Sequence, residues 1–172
     1  MEKDYAKIVS GSRQHKPAAQ RALYDELAPM AMGICLRYAP DREEARDLLQ
    51  DGFVKIYEKI ATLRQPEKLR SWAYNIMVNT CIQRLRRLGR EQLMEDMDSF
   101  NDEQPLPDIS TSEIMAAMES LTPGQRLVFN LCCIEGLSLD EAAAKLRSNN
   151  SNVRALLCKA RRQMRTILNQ KL

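Results

Sequence analysis

The sequence predicts an all-α chain: two small helical domains joined by a flexible acidic linker, the C-terminal one a helix-turn-helix. Three observations carry this. Apolar residues recur every three or four positions through most of the 172 residues, the spacing of one face of an α-helix. The 6 glycines and 7 prolines fall mostly between these periodic stretches, where they punctuate helices. Residues 91–113 interrupt the pattern with eight Asp/Glu, no Lys or Arg, and two prolines, Pro105 and Pro107. Such a segment buries too little apolar surface to order itself. Domains of residues 1–90 and 114–172 are expected on either side.

The first periodic stretch spans residues 18–38, with Leu23, Leu27, Met30, Ile34 and Tyr38 on one face. Pro29 lacks an N–H donor, so it predicts a kink or a boundary inside that helix, and Pro40 ends it. Asp41 through Glu44 resembles a capping box opening the next helix. Ala45, Leu48, Leu49, Phe53, Ile56 and Ile60 form its core face, and Asp47, Asp51, Val54 and Glu58 lie opposite. That second face reads equally as a solvated surface carrying one stray valine and as a docking surface for a basic partner. Residues 62–68, with Pro66, read as a loop. The helix after it, about residues 69–87, has a buried stripe of Leu69, Trp72, Ala73, Ile76, Met77 and Thr80. The stripe then turns polar, and the helix is expected to leave the core and end basic, in Arg84, Arg86, Arg87 and Arg90. Along its flank run Asn75, Asn79, Gln83 and Arg86. Asn and Gln hydrogen-bond base edges and Arg holds phosphates, although a solvated amphipathic helix has the same look.

The C-terminal part carries sharper signals. Thr122, Pro123 and Gln125 give an N-cap, a proline at the first helical position and a capping-box partner. That helix continues through Leu127, Val128, Leu131 and Cys132, and Gly136 ends it. Ser138 and Glu141 make a second capping box, with Leu137 as staple against Ala142, opening a short helix, Leu139–Leu146. A polar turn, residues 147–151, leads to a helix expected to start near Asn152. Val153, Leu156, Leu157, Ala160, Met164 and Ile167 or Leu168 face its core; Arg154, Arg161 and Arg165 form an outer stripe flanked by Lys159 and Arg162. From Arg147 to the end there are seven Lys/Arg and no Asp or Glu, in a chain of formal net charge +3. Two short helices with a basic second member form a unit that places the second in the DNA major groove. The first turns, Asn149 to Arg154, would enter the groove and the later arginines would grip phosphates.

Other chemistries are disfavoured. Five cysteines at unpaired spacing, with His15 the only histidine, support neither a disulfide framework nor a metal site. No cofactor is expected. There is no Gly-rich phosphate loop and no His-dependent triad, so no enzyme is expected. No apolar run reaches the length of a membrane span and the N-terminus has no apolar core, which makes the cytoplasm the expected location and membrane insertion unexpected.

In the order of its parts, the chain resembles a known family. Residues 41–88 are similar to the second conserved region of bacterial RNA polymerase sigma factors of the extracytoplasmic-function type, and residues 121–164 are similar to their fourth. The resemblance implies that the chain binds core RNA polymerase and directs it to promoters. Asp47, Gln50, Asp51 and Val54 would then contact the polymerase clamp helices. The loop of residues 63–68 and the helix bearing Asn75, Asn79, Gln83 and Arg86 would open the minus-ten element, the loop capturing a base flipped from the melted non-template strand. Asn149, Asn150, Ser151, Asn152, Arg154, Ala155, Lys159 and Arg162 would meet the minus-thirty-five element as duplex. The acidic linker would lie in the RNA exit path, an anti-sigma protein would be a further partner, and the minimal two-domain form is implied. The chain departs from the family pattern where Arg147 replaces the usual turn glycine, where Ser151-Asn152 replaces Gly-Thr, and where Ala155-Leu156 replaces Ser-Arg. The alternative function is a stand-alone helix-turn-helix regulator with an N-terminal sensing or dimerising domain.

Overall fold

The structure, a computed structural model, describes residues 4–88 and 110–169. Every regular element among them is helical. The chain divides into two compact units, residues 1–81 and 82–172.

In the first unit, α1 (Tyr5–Arg13) is capped by Asp4, whose carboxylate accepts the Lys7 N–H at 3.0 Å. Helix α2 (Pro17–Tyr38) starts with proline in its first turn, where no donor is needed. Asp41 caps α3 (Arg42–Lys59) by accepting the Glu44 N–H at 2.9 Å. The core is built from Leu23, Leu27, Ala31, Ile34 and Tyr38 of α2, Ala45, Leu48, Phe53 and Ile56 of α3, and Leu69, Ala73 and Met77 of α4 (Leu69–Leu88), all buried. Each large side chain there is worth about 1.5–3 kcal/mol of burial. Helices α3 and α4 approach so closely at Gly52 that a Cβ would lie 2.2 Å from the Met77 sulfur.

Several expectations need correction. Helix α1 has no counterpart in the sequence reading. Helix α2 runs through Pro29 without a boundary, because Pro29 is exposed and water can solvate the carbonyl that loses its partner. Residues 62–68 are not one loop: two 3₁₀ turns, Ile60–Thr62 and Pro66–Lys68, bracket an irregular stretch. The buried face of α4 does not end at Thr80 but includes Val78, Cys81, Ile82 and Leu85, whereas Trp72 and Ile76 are only half-buried. The linker also ends earlier than read. Ser110 and Glu113 form a reciprocal capping box, so α5 (Thr111–Met118) starts inside residues 91–113. The remainder of that linker, with Arg90, lies outside the described residues.

The second unit continues with α6 (Pro123–Phe129), α7 (Leu139–Leu146) and α8 (Asn150–Asn169). The Thr122/Gln125 and Ser138/Glu141 boxes are both reciprocal, as the sequence indicated. A π-helical segment, Asn130–Ile134, extends α6 before Gly136, which takes a φ of +71°. Ala117, Met118, Leu121, Phe129, Ala160, Met164 and Leu168 form one core cluster that fixes α8 against α5 and α6.

Candidate nucleic-acid interface

The turn between α7 and α8 is fixed by backbone geometry first. The Ser148 N–H donates to the Ala143 carbonyl at 3.0 Å and the Arg147 N–H to the Ala144 carbonyl at 3.2 Å. These two bonds make a Schellman motif with Arg147 at its left-handed position, φ 52°. Glycine is the residue this geometry favours, and Arg147 adopts it despite its Cβ. Asn149 then caps α8, its side-chain oxygen accepting the Asn152 N–H at 2.8 Å. The helix therefore begins at Asn150, earlier than the sequence indicated. The Asn150 amide donates to the Asp140 carboxylate, tying the turn back to the start of α7.

Helix α8 buries Val153, Leu157, Cys158, Ala160, Met164 and Leu168. Leu156 is half-buried and lies over Gly124, whose added Cβ would be 3.7 Å from it. It packs on the start of α6. On the other side, Ser151, Arg154 and Arg162 are exposed, and Asn152, Ala155 and Lys159 are half-buried. Arg154 and Lys159 make no ion pair with any described residue, so their charge is available to a polyanion. The expected stripe of Arg154, Arg161 and Arg165 does not form as a solvated row. Arg161 and Arg165 are half-buried, and the Arg161 guanidinium reaches the Cys133 sulfur at 3.8 Å. Cys133 is itself exposed, and that guanidinium draws its thiol down, but desolvation by the atoms packed around the sulfur outweighs it and the thiol stays above its usual range.

On α4, Asn75, Asn79 and Gln83 are exposed and Arg86 is half-buried. Their spacing puts them along one edge of the helix. On α3, Asp47, Gln50, Asp51 and Val54 are all exposed, Val54 at 50%. An apolar β-branched side chain therefore stands half-open between carboxylates.

Two arginines that shape these surfaces were not found in the sequence. Arg126 is 3% exposed. Its guanidinium donates to the carbonyls of Met118 at 3.0 Å, Glu119 at 3.0 Å and Leu121 at 3.3 Å. The Met118 carbonyl also accepts the Leu121 N–H at 3.1 Å, so the guanidinium matters most to the carbonyls of Glu119 and Leu121, just past the end of α5, where a cation also meets the negative end of the helix dipole. Gln163 of α8 adds a bond to the Ser120 carbonyl at 2.9 Å. The second is Arg13, which donates to the carbonyls of Ile60 and Leu63.

Comparisons with known proteins converge on the same two segments. Residues 23–91 match the family model of Sigma-70 region 2, and residues 111–164 match that of Sigma-70, region 4. The chain is 31% identical over 158 residues to the ECF RNA polymerase sigma factor SigE of Mycolicibacterium smegmatis, covering 84% of this chain and 61% of that protein. It thus spans about three fifths of that relative's length. It is 26% identical to the RNA polymerase sigma factor SigV of Bacillus subtilis, over 77% of this chain and 80% of the relative. Among solved structures, the sigma factor RpoE in complex with the anti-sigma factor NepR, from Bartonella quintana, shares the fold. That match has a TM-score of 0.51 at 20% identity and covers 87% of this chain and 96% of the other. Among the described residues, no helix is long and apolar enough to cross a membrane. A region 2 and a region 4 in one chain do not favour a stand-alone regulator. The chain belongs to the extracytoplasmic-function sigma factors of bacterial RNA polymerase.

Proposed function

We propose that the chain binds core RNA polymerase and directs it to specific promoters, acting as a non-enzymatic initiation factor in the cytoplasm. The observation that carries this reading is the second unit's helix-turn-helix, whose α8 presents Arg154 and Lys159 with no ion-pair partner among the described residues. In this reading, the domain that opens with α5 binds the minus-thirty-five element as duplex. Asn149, Asn150, Ser151, Asn152, Arg154 and Ala155 approach the groove, and Lys159 and Arg162 hold phosphates. Residues 1–90 dock on polymerase through Asp47, Gln50, Asp51 and Val54. They open the minus-ten element with residues 63–68 and with Asn75, Asn79, Gln83 and Arg86. The acidic residues that precede α5 act as the connector. An anti-sigma protein, of the kind seen with RpoE, is a further partner.

The test is in-vitro transcription with core enzyme across a genomic promoter library, run beside a core-enzyme pull-down. Arg154→Ala should reduce promoter-dependent transcription and leave core binding intact. The double change Asp51→Arg with Val54→Arg should abolish core binding and leave duplex affinity intact. Equal loss of core binding in both would refute this division of labour. Promoter affinity should also fall steeply with salt, because phosphate contacts release counterions.

A further inference from the structure

We propose that α1 positions the base-capturing loop, with Arg13 as the positioning residue. This rests on the reading of residues 63–68 given above. Arg13 is the last residue of α1. Its Nε donates to the Ile60 carbonyl at 3.4 Å and its Nη2 donates to the Leu63 carbonyl. The Ile60 carbonyl already closes the first 3₁₀ turn by accepting the Leu63 N–H at 3.3 Å. One planar guanidinium thus holds both ends of that turn, a two-pronged fit that an ammonium cannot reproduce.

The far end of the loop is held by a second group. The Glu26 carboxylate, with its side chain 3% exposed, accepts from Arg70 Nη1 at 2.6 Å and from the Tyr5 hydroxyl at 3.1 Å. Arg70 sits in the first turn of α4, directly after the loop, and Tyr5 opens α1. Helix α1 therefore reaches both flanks of the loop. It is itself fixed: Val9 and Ser12 are buried, and a Cβ on Gly11 would lie 2.5 Å from the Ala19 Cβ. Between the two clamps, Leu63 is anchored at 4% exposure while Arg64, Gln65, Glu67 and Lys68 face solvent. Extruding a base costs a few kcal/mol, so a pocket offsets that cost only when its walls are held before the base arrives. Arg13 and the Glu26 cluster supply that hold from outside the loop.

The experiment uses full-length chain bound to core RNA polymerase and a randomised single-stranded DNA library, with base preference read position by position. Trimming the loop tip, Arg64→Ala with Gln65→Ala, identifies the captured position as the one whose preference flattens. Arg13→Ala should reduce the preference at that same position by about tenfold, with neighbouring positions and core affinity unchanged. Arg13→Lys, which can satisfy one carbonyl, should restore part of it. Wild-type preference at that position in Arg13→Ala overturns the proposal, as does a loss spread evenly over all positions, the mark of a loosened fold. If the loop-tip variant leaves every preference intact, the reading of the loop fails first and the proposal falls with it. Should Arg13→Ala not fold, as judged by circular dichroism, Tyr5→Phe carries the same comparison. It removes one hydrogen bond from the Glu26 cluster and should cost about threefold at the captured position; no change there overturns the proposal.

Discussion

Replacing Arg126 with methionine tests what holds α5 on the DNA-reading unit. The guanidinium makes three bonds to backbone carbonyls. Those to Met118 and Leu121 are buried, and that to Glu119 is partly so. Methionine fills a similar volume with apolar atoms but donates nothing. Leaving a buried carbonyl without a partner costs about 1–3 kcal/mol. The Met118 carbonyl keeps the Leu121 N–H at 3.1 Å, so the loss falls on the buried Leu121 carbonyl and the partly buried Glu119 carbonyl, about 2 kcal/mol after some recovered apolar burial. For a domain of this size that corresponds to a fall of roughly 10 °C in the midpoint of its unfolding. Hydrogen exchange on the full-length chain localises the effect. Amides of α5 and α6 should lose about thirtyfold in protection, while α2 and α3 keep theirs. Promoter binding should weaken through α8, because Gln163 and the shared core seat that helix on the same scaffold. A loss below about 1 kcal/mol would refute the reasoning, since it would mean that these carbonyls find water as readily as they find the guanidinium.

Three further outcomes follow from the same chemistry. Arg147→Gly should stabilise the chain by about 0.5–1 kcal/mol in chemical denaturation, because glycine relieves the left-handed strain and returns part of that gain as unfolded-state entropy; a destabilised variant would show that the arginine side chain supports the turn. The Glu141 carboxyl is held below its ordinary value of 4.5 by the Ser138 backbone N–H and then the Ser138 hydroxyl. Its contribution is therefore complete above that value and lost as pH falls through the lower folded one, so Glu141→Gln should flatten the acid dependence of Ser138 amide exchange below about pH 4.5. Mass-spectrometric mapping of iodoacetamide labelling at pH 8 should find Cys133 modified first, because it is exposed, whereas burial pushes the Cys132 thiol up to about 11 and Cys35, Cys81 and Cys158 are buried; early labelling at Cys81 would contradict its burial against Cys35.

The parts of the fold legible in the sequence are those written in local chemistry. Thr122 with Gln125 and Ser138 with Glu141 are contacts three residues apart between side chain and adjacent backbone, so residue type alone predicts them. The apolar faces of α3 and α8 follow from spacing for the same reason. Helix α1 failed that test because the residues it buries are Val9, Gly11 and Ser12. Small side chains permit close approach without making an apolar stripe. The face of α4 does not follow from a single stripe ending at Thr80, because the buried surface broadens onto Val78, Cys81, Ile82 and Leu85. By composition Glu113 belongs with the linker acids, although its role is to close the box with Ser110. The π-helical stretch Asn130–Ile134 left no mark in residue type at all.

The candidate site divides along the same physical line. Exposure of Asn75, Asn79, Asp51, Val54 and Arg154 follows from helical phase, which the sequence contains. What holds those surfaces does not, because the acceptors are main-chain carbonyls. Any residue can supply a carbonyl, so the partners of Arg126 and Arg13 carry no signature of their own. Separation adds to this: Arg126 reaches back 5 to 8 residues, but Arg13 reaches 47 and 50 residues ahead. Each of the two arginines turns its charge onto the backbone next to a proposed DNA-facing element. On α8, Arg154 and Lys159 have no ion-pair partner among the described residues and stay available to DNA, and the cations spent on carbonyls decide where they stand. An arginine count therefore says little about DNA affinity here until each guanidinium has been assigned to backbone or to solvent.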